Sequence, residues 1–312
     1  MSLLIALIST LLSIILLLFT QNYFMKKNIF DKINSRSSHV VRATRNGGLS
    51  IFLNMFFLSV FLYILGTEIF DYSLIIPLSI LFIVGLYDDI YSVDYKLKFI
   101  FQIIVAKILI DNGFVIDNLH GTLGVFNIGR IPAQLVTIFI VLAIINAINF
   151  IDGIDGLASS ICILFIIFFE FFISSQSPFS YLSLIIVTSL VPLIIFNLRK
   201  NKKMFLGDTG SLFLGGVVSI YILFILSSGY LIKKSFDLNK ILFVFSIIIY
   251  PIIDITRVVL IRLKNKKSPF TADKNHIHHK LLRIFKSHIK VTAIITLFTL
   301  SFVVLIQLLN NL

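Results

Sequence analysis

The sequence predicts an all-α polytopic membrane protein of about ten transmembrane helices, forming a single domain over residues 1–312. Three observations carry that expectation. Hydrophobic residues make up 58% of the chain and charged residues only 13%, with a mean hydropathy of +1.01, whereas soluble domains are nearer half apolar and a quarter charged. Apolar stretches of about 20 residues, the length a bilayer core demands, recur along the sequence, and no polar segment between them is long enough for a separate soluble domain. The loops between the stretches also alternate sharply in charge.

Taken in order, the spans fall at roughly 3–19, 49–65, 73–87, 97–111, 133–150, 157–174, 180–197, 211–227, 240–261 and 291–309. The first lacks a basic segment before it and a cleavage site after it, so it reads as a retained helix and not a signal peptide. Lys26, Lys27, Lys32, Arg36, Arg42 and Arg45, then Lys96 and Lys98, then Arg199, Lys200, Lys202 and Lys203, and finally the basic run from Arg262 to Lys290 occupy one set of loops. The other set holds only Arg130, Lys233, Lys234 and Lys240. Positive loops stay inside, so the first set is expected in the cytoplasm and both termini outside. The outer loop 112–132 alternates apolar and polar residues around Gly121 and Gly124 and suggests a short periplasmic β-hairpin.

The net charge of +12 is accounted for by this topology. A nucleic-acid partner would need those cations on a soluble surface, so none is expected. Cys162 is alone within an apolar run, which excludes an intrachain disulfide. The 32 Phe read as lipid-facing and core residues.

Carboxylates and amides at membrane depth are costly and mark function by default. Four clusters stand out: Gly85–Asp89, Asn146–Leu157, Phe205–Ser211 and Asp273–His279. In the drawn topology every one lies at a cytoplasmic span end, which points to one shared site. Asn146, Asn149 and Asp152 are spaced i, i+3, i+6 and form one helical stripe, followed by Gly153, Asp155 and Gly156. Interhelical hydrogen bonding explains one such amide but not two amides and two carboxylates in ten residues. Asp88 and Asp89 are adjacent, about 100° apart on a helix, and are expected to play different parts. Asp208 opens a span, either as an N-cap or as a carboxylate beside free helix N–H groups, where phosphate oxygens and a cation meet. His276, His278 and His279 are flanked by Lys274, Lys280 and Arg283. Those cations and the absence of Cys partners fit a pyrophosphate or sugar phosphate better than a transition metal. Hard oxygen ligands, a cationic rim and a membrane surface together suit Mg²⁺ working with substrate phosphates, hence phosphoryl transfer with a lipid substrate.

The four clusters, in this order and spacing, resemble the polyprenyl-phosphate N-acetylhexosamine-1-phosphate transferases of glycosyltransferase family 4, a superfamily that includes MraY. The Asn-x-x-Asn-x-x-Asp-Gly-x-Asp-Gly-Leu string is highly specific, and the likeness runs from about Ser35 to Leu282. His276-Ile277-His278-His279 after Ala272-Asp273-Lys274 is similar to the WecA/TagO-like branch and points to a UDP-HexNAc donor. One departure is that Thr44 stands where family members usually carry proline before Arg45. Asp254 and Arg257, at i, i+3, are expected to form a structural ion pair near the site.

The resemblance implies transfer of HexNAc-1-phosphate, GlcNAc-1-phosphate first among the candidates, from a UDP-sugar to undecaprenyl phosphate, in the bacterial inner membrane with the site facing the cytoplasm. UDP-GalNAc and a 6-deoxy-HexNAc donor stay open, as does a homodimer. It implies Asp208 and Asn149 as contacts of Mg²⁺, with Mn²⁺ a substitute, Asp155 near the uracil, and Asp88 and Asp89 by the lipid phosphate. The histidines then face the donor's diphosphate and sugar, Asp152 completes the catalytic carboxylates, and Arg45, Asn146 and Lys274 join the substrate contacts. The segment 264–275 and residues 42–46 are the expected source of sugar choice. A transporter of anionic substrates would instead place its charges near span midpoints, and a scaffold that had lost catalysis would lack some of these carboxylates.

Overall fold

The computed structural model describes residues 2–31, 42–227, 229–233, 239–266, 268 and 275–310. Lys32, Arg36, Lys234, Asp273 and Lys274 lie outside the described residues. The elements run α1 (Ser2–Lys26), β1 (Ala43–Thr44), α2 (Gly47–Ile64), α3 (Ile75–Tyr91), α4 (Tyr95–Asp111), α5 (Arg130–Ile151), α6 (Leu157–Phe172) and α7 (Ser180–Asn197). They continue with β2 (Lys203–Met204), α8 (Gly207–Leu226), α9 (Lys240–Ile247), α10 (Ile249–Lys264), α11 (Ile277–Phe285) and α12 (His288–Asn310).

A helix stands at each expected span, in an all-α membrane protein. Among the described residues, seven helices are long and apolar enough to cross a bilayer, and the bent pair α9–α10 would make an eighth. The remaining two are shorter: α6 has 16 residues, and α4 has 17 and carries Lys96, Lys98 and Lys107. The span drawn at 240–261 is broken by a 75° bend between α9 and α10. Its cause is Pro251, which cannot donate to the Ile247 carbonyl and whose ring would collide with it.

Helix α8 is the hub. Within its apolar window 94% of the residues are buried, and it packs on α2, α3, α5, α6 and α9. Close approach at its first turn depends on two glycines. A Cβ at Gly48 would sit 2.0 Å from the Gly210 nitrogen, and one at Gly85 would sit 2.5 Å from the Asp208 carbonyl oxygen, so only hydrogen fits there. On the periphery, Leu7, Leu11 and Ile15 of α1 are exposed, a stripe at helical spacing that suits lipid. The inner face of α1 is tied by polar groups, as Asn54 donates to Ser9 Oγ (2.9 Å) and to Ser189 Oγ (2.6 Å). Such bonds join apolar helices that have no hydrophobic drive to associate in lipid.

Two short elements escape sequence periodicity. β1 and β2 pair in parallel, Ala43 with Lys203 and Thr44 with Met204, and Gly47 N–H donates to the Phe205 carbonyl (2.9 Å). The pair seats Arg45 beside the entrance to α8. Thr44, the departure noted above, donates its hydroxyl to Asn46 Oδ1 (2.6 Å), and Asn46 in turn donates to Thr20 Oγ1 (2.9 Å). The hydroxyl thus orders the turn that a proline ring would have stiffened. The loop 112–132 reverses through a single antiparallel bridge, Asn118 with Asn127, around one 3-10 turn at Thr122–Gly124.

Candidate active site

The carboxylates at the end of α3 meet the start of α8, and the adjacent pair divides its work. Asp89 has a fully buried side chain and fastens the α8 N-terminus. Its Oδ1 accepts the Asp208 N–H (3.0 Å), and its Oδ2 accepts the Thr209 N–H (2.9 Å) and hydroxyl (2.6 Å). The expected choice between cap and ligand at Asp208 is therefore split: the capping carboxylate comes from another helix, leaving Asp208's own side chain free of that duty. Asp88 points elsewhere. The Lys98 ammonium, on the first turn of α4, bridges Asp88 Oδ2 (2.7 Å) and Asp208 Oδ2 (2.5 Å). A cation held between two carboxylates at a helix N-terminus is the central electrostatic feature of this end of the bundle. Arg45 adds a second cation through Asp31 and Asp89 Oδ1 (3.3 Å). Burial opposes its charge, but Asp89 and Asp31 raise its pKa.

The amide stripe of α5 faces two ways. Asn149 donates to Ser211 Oγ (2.8 Å) on the first turn of α8, within the carboxylate cluster. Asn146, one turn earlier, pairs with Gln102 of α4, donating to its Oε1 (2.7 Å). That is the interhelical bond considered as the plain alternative for one amide of the stripe. Just past α5, burial pushes the Asp152 carboxyl well above the usual range, with Asp208 and Asp89 adding to the effect. Asp155 is held by the Lys203 ammonium and lies 3.2 Å from His288 Nδ1, and its carbonyl accepts the Thr292 hydroxyl (2.8 Å).

The histidine segment reaches the same end. A Cβ added at Gly153 would lie 3.4 Å from His279 Cε1 and 3.5 Å from His278 Nε2, and the His276 ring lies 5.7 Å from that of Phe150. The expected ion pair of Asp254 with Arg257 is not what forms. Asp254 accepts from His276 Nδ1 (2.8 Å) and from the Ile277 N–H (2.7 Å), while Arg257 donates to the Asn275 carbonyl (2.7 Å). The reason is that the histidine segment lies along this face of α10 and takes both oxygens of Asp254, while its Asn275 carbonyl takes Arg257. Asp254, His276 and His278 bring three ligand atoms within 4.8 Å of one another. The 2.8 Å contact between Asp254 Oδ2 and His276 Nδ1 is a hydrogen bond, and the Tyr250 hydroxyl lies 3.0 Å from His278 Nδ1. Burial holds the His278 imidazole below the usual histidine range, against the pull of Asp254. Lys274 and most of the segment 264–275 lie outside the described residues.

Lys98, Lys203 and His288 join the site without having been singled out, and Thr209 and Ser211 join it from the Phe205–Ser211 cluster without having been given a part of their own. Lys98 and Lys203 had been read only as topology signals, and no motif marks a lysine whose partners are 110 and 48 residues away. An apolar cavity of about 590 Å³ opens among α4, α5, α8, α9 and α10, with Phe99, Ile222, Val244 and Ile252 in its wall. Asn146 and Phe150 also line it, so it reaches the first amide of the stripe and the ring that lies beside His276.

A cluster of carboxylates, cations and histidines at one end of a bundle of apolar helices, as here, marks a membrane protein with the groups to handle phosphates. The family model of glycosyl transferase family 4 matches residues 72–227, half of the chain, which includes the α3, α5 and α8 clusters. The chain is 34% identical to an undecaprenyl-phosphate alpha-N-acetylglucosaminyl 1-phosphate transferase of Pasteurella multocida, covering 90% of this chain and 79% of that protein. It is 31% identical to a probable undecaprenyl-phosphate N-acetylglucosaminyl 1-phosphate transferase of Bacillus subtilis, covering 90% and 78%. A decaprenyl-phosphate N-acetylglucosaminephosphotransferase of Mycobacterium tuberculosis is 29% identical over 84% of this chain and 71% of its own. The chain belongs to glycosyl transferase family 4, in the company of its WecA/TagO-like members.

Proposed function

We propose that this protein transfers GlcNAc-1-phosphate from UDP-GlcNAc to undecaprenyl phosphate, releasing UMP and starting a lipid-linked envelope glycan. The site would face the cytoplasm from the bacterial inner membrane. The observation that carries the reading is the Lys98 ammonium lodged between Asp88 and Asp208, beside the α8 N-terminus. The relatives named above and the apolar cavity leading to Asn146 support it. The acceptor phosphate has a second pKa near 6 and is largely a dianion at neutral pH, so a strong general base is unnecessary. One of its oxygens attacks the sugar-bearing phosphorus, the bridging P–O bond breaks, and UMP leaves with that oxygen while the sugar's own C–O bond stays intact.

The harder task is bringing two anions together, and the site's cations meet it electrostatically. Lys98 and Arg45 offer positive charge at the carboxylate end. His276, His278 and His279, with Lys280 and Arg283 on α11, would face the donor's diphosphate and sugar. The Lys98 ammonium between Asp88 and Asp208 supports the reading that these carboxylates suit a cation. Asp208, with Asn149 beside it and Asp88 in reach, would hold Mg²⁺, or Mn²⁺ in its place. Bound there, the metal would supply charge neutralisation for the phosphates. Asp155 is the candidate contact of the uracil and Asp152 a further catalytic carboxylate. Asp89 serves by holding the α8 terminus in place.

A donor panel tests the proposal. Purified protein with undecaprenyl phosphate and Mg²⁺ is given UDP-GlcNAc, UDP-GalNAc or a 6-deoxy-HexNAc analogue, and the lipid products are identified by mass. The largest kcat/KM is expected for UDP-GlcNAc. A lipid product from another donor alone would reassign the sugar, and no lipid product from any would overturn the reaction.

A further inference from the structure

One face of α10 holds the histidine segment at three successive points. Tyr250, Asp254 and Arg257 are spaced i, i+4, i+7 and so share a face. Arg257 donates to the Asn275 carbonyl (2.7 Å). Asp254 takes the next two groups, His276 Nδ1 on Oδ2 (2.8 Å) and the Ile277 N–H on Oδ1 (2.7 Å). Tyr250 takes the last, its hydroxyl 3.0 Å from His278 Nδ1, with Asp254 Oδ2 3.5 Å from the same nitrogen. Asp254 Oδ1 accepts the Ile277 N–H, and Oδ2 faces a ring nitrogen of His276, an arrangement that suits an ionised carboxylate. Asp254 is 1% exposed and His278 0%, so solvent does not compete for these bonds. His278 Nε2 is left buried without a hydrogen-bond partner, on the side where Gly153 begins the turn that carries Asp155.

We propose that Asp254 is a positioning residue for the histidines. Its carboxylate requires a proton on Nδ1 of His276, which fixes that ring's orientation and makes Nε2 the atom presented outward. Through the Ile277 N–H it also fixes the start of α11, so that the His278 ring enters with Nδ1 toward Tyr250 and Nε2 toward the Gly153 turn. A carboxylate behind an imidazole sets both tautomer and direction. In water the Nε2-protonated form of histidine is the commoner one, so a resident Nδ1 proton on His276 is a specific signature. The bend at Pro251 and the Arg257 bond to Asn275 belong to the same device, since both bring the α10 face against residues 275–278.

The turnover effect rests on the phosphotransferase reading, but the spectroscopic one does not. The protein is labelled with ¹⁵N-histidine, placed in lipid nanodiscs, and its imidazoles are read by ¹H–¹⁵N correlation, with the His276 signals assigned by their loss in His276→Gln. The expected wild-type result is a proton on Nδ1 of His276, and in Asp254→Asn a redistribution toward Nε2. Turnover of Asp254→Asn is expected to fall about 10- to 100-fold, the usual effect of removing such a partner, with the donor KM little changed. An unprotonated Nδ1 on His276 in the wild type overturns the proposal whether or not the variant folds. So does a folded Asp254→Asn with undiminished turnover. If the wild type transfers no sugar phosphate yet shows the Nδ1 proton and its redistribution in the variant, the proposed reaction fails while the positioning role stands.

Discussion

The Asp208 and Thr209 N–H groups would face a buried site with no intrahelical acceptor, because the first turn of any helix leaves its donors unpaired. Asp89 supplies the acceptors from α3 and makes four contacts, including Arg45. Asp89→Ala leaves at least two buried N–H donors unsatisfied, at about 1–3 kcal/mol each. The thermal midpoint in detergent is expected to fall together with activity, and an unchanged midpoint would show that Asp89 does not hold α8. The motif containing Asp88 and Asp89 was plain in the sequence, and their 100° separation implied different parts. Which one caps and which one faces Lys98 was not legible, because it depends on a helix more than 100 residues away in the chain. The amides show the same limit. Asn146 and Asn149 share a stripe, but only the placement of α4 and α8 sends one to Gln102 and the other to Ser211.

At the scale of elements, apolar length placed a helix at each drawn span, since bilayer thickness sets a requirement that a sequence window can read, but it gave no sign of the short α11 at Ile277–Phe285. What it does not encode is direction. The stretch 240–261 reads as one span, yet Pro251 removes the bond to Ile247 and the chain turns through 75°. That turn carries Tyr250, Asp254 and Arg257 onto the histidine segment, whose contacts replace the expected Asp254–Arg257 pair. Pro251→Ala restores the missing donor, so α9 and α10 should run closer to one line and the histidines lose their backing. Spin labels at Phe245 and Leu260 are expected to move apart in the variant, as turnover drops. An unchanged distance distribution would mean that packing against α5 and α12, and not Pro251, sets the bend. The two-residue strands β1 and β2 were also unreadable, because parallel pairs of that length leave no period.

For the whole molecule, the four clusters that the sequence spreads over some 190 residues converge at one end of the bundle. Lys98 joins Asp88 to Asp208, Asn149 joins α5 to α8, and the histidines pack over Gly153. This common end was legible from charge alone, since the basic loops fall on the same side as the carboxylates. A reporter fused after Lys203 is therefore expected to read cytoplasmic and one inserted near Gly121 periplasmic, and the reverse would place the site across the membrane from its nucleotide donor. The apolar cavity was not legible, since its wall draws on five helices that only the tertiary packing brings together.

The reaction itself is distinguished by its nucleotide product. Transfer of a sugar phosphate onto a lipid phosphate releases UMP, whereas transfer of the sugar alone releases UDP. The direct measurement is the nucleotide and lipid formed when purified protein in lipid nanodiscs receives UDP-GlcNAc, undecaprenyl phosphate and Mg²⁺, with Asp208→Asn alongside. The account predicts UMP and a GlcNAc-bearing lipid diphosphate in equal amounts, both dependent on the acceptor, and a loss of about 100-fold or more in the variant, as when a charge-stabilising contact is removed. Release of UDP, or full activity in Asp208→Asn, would contradict it.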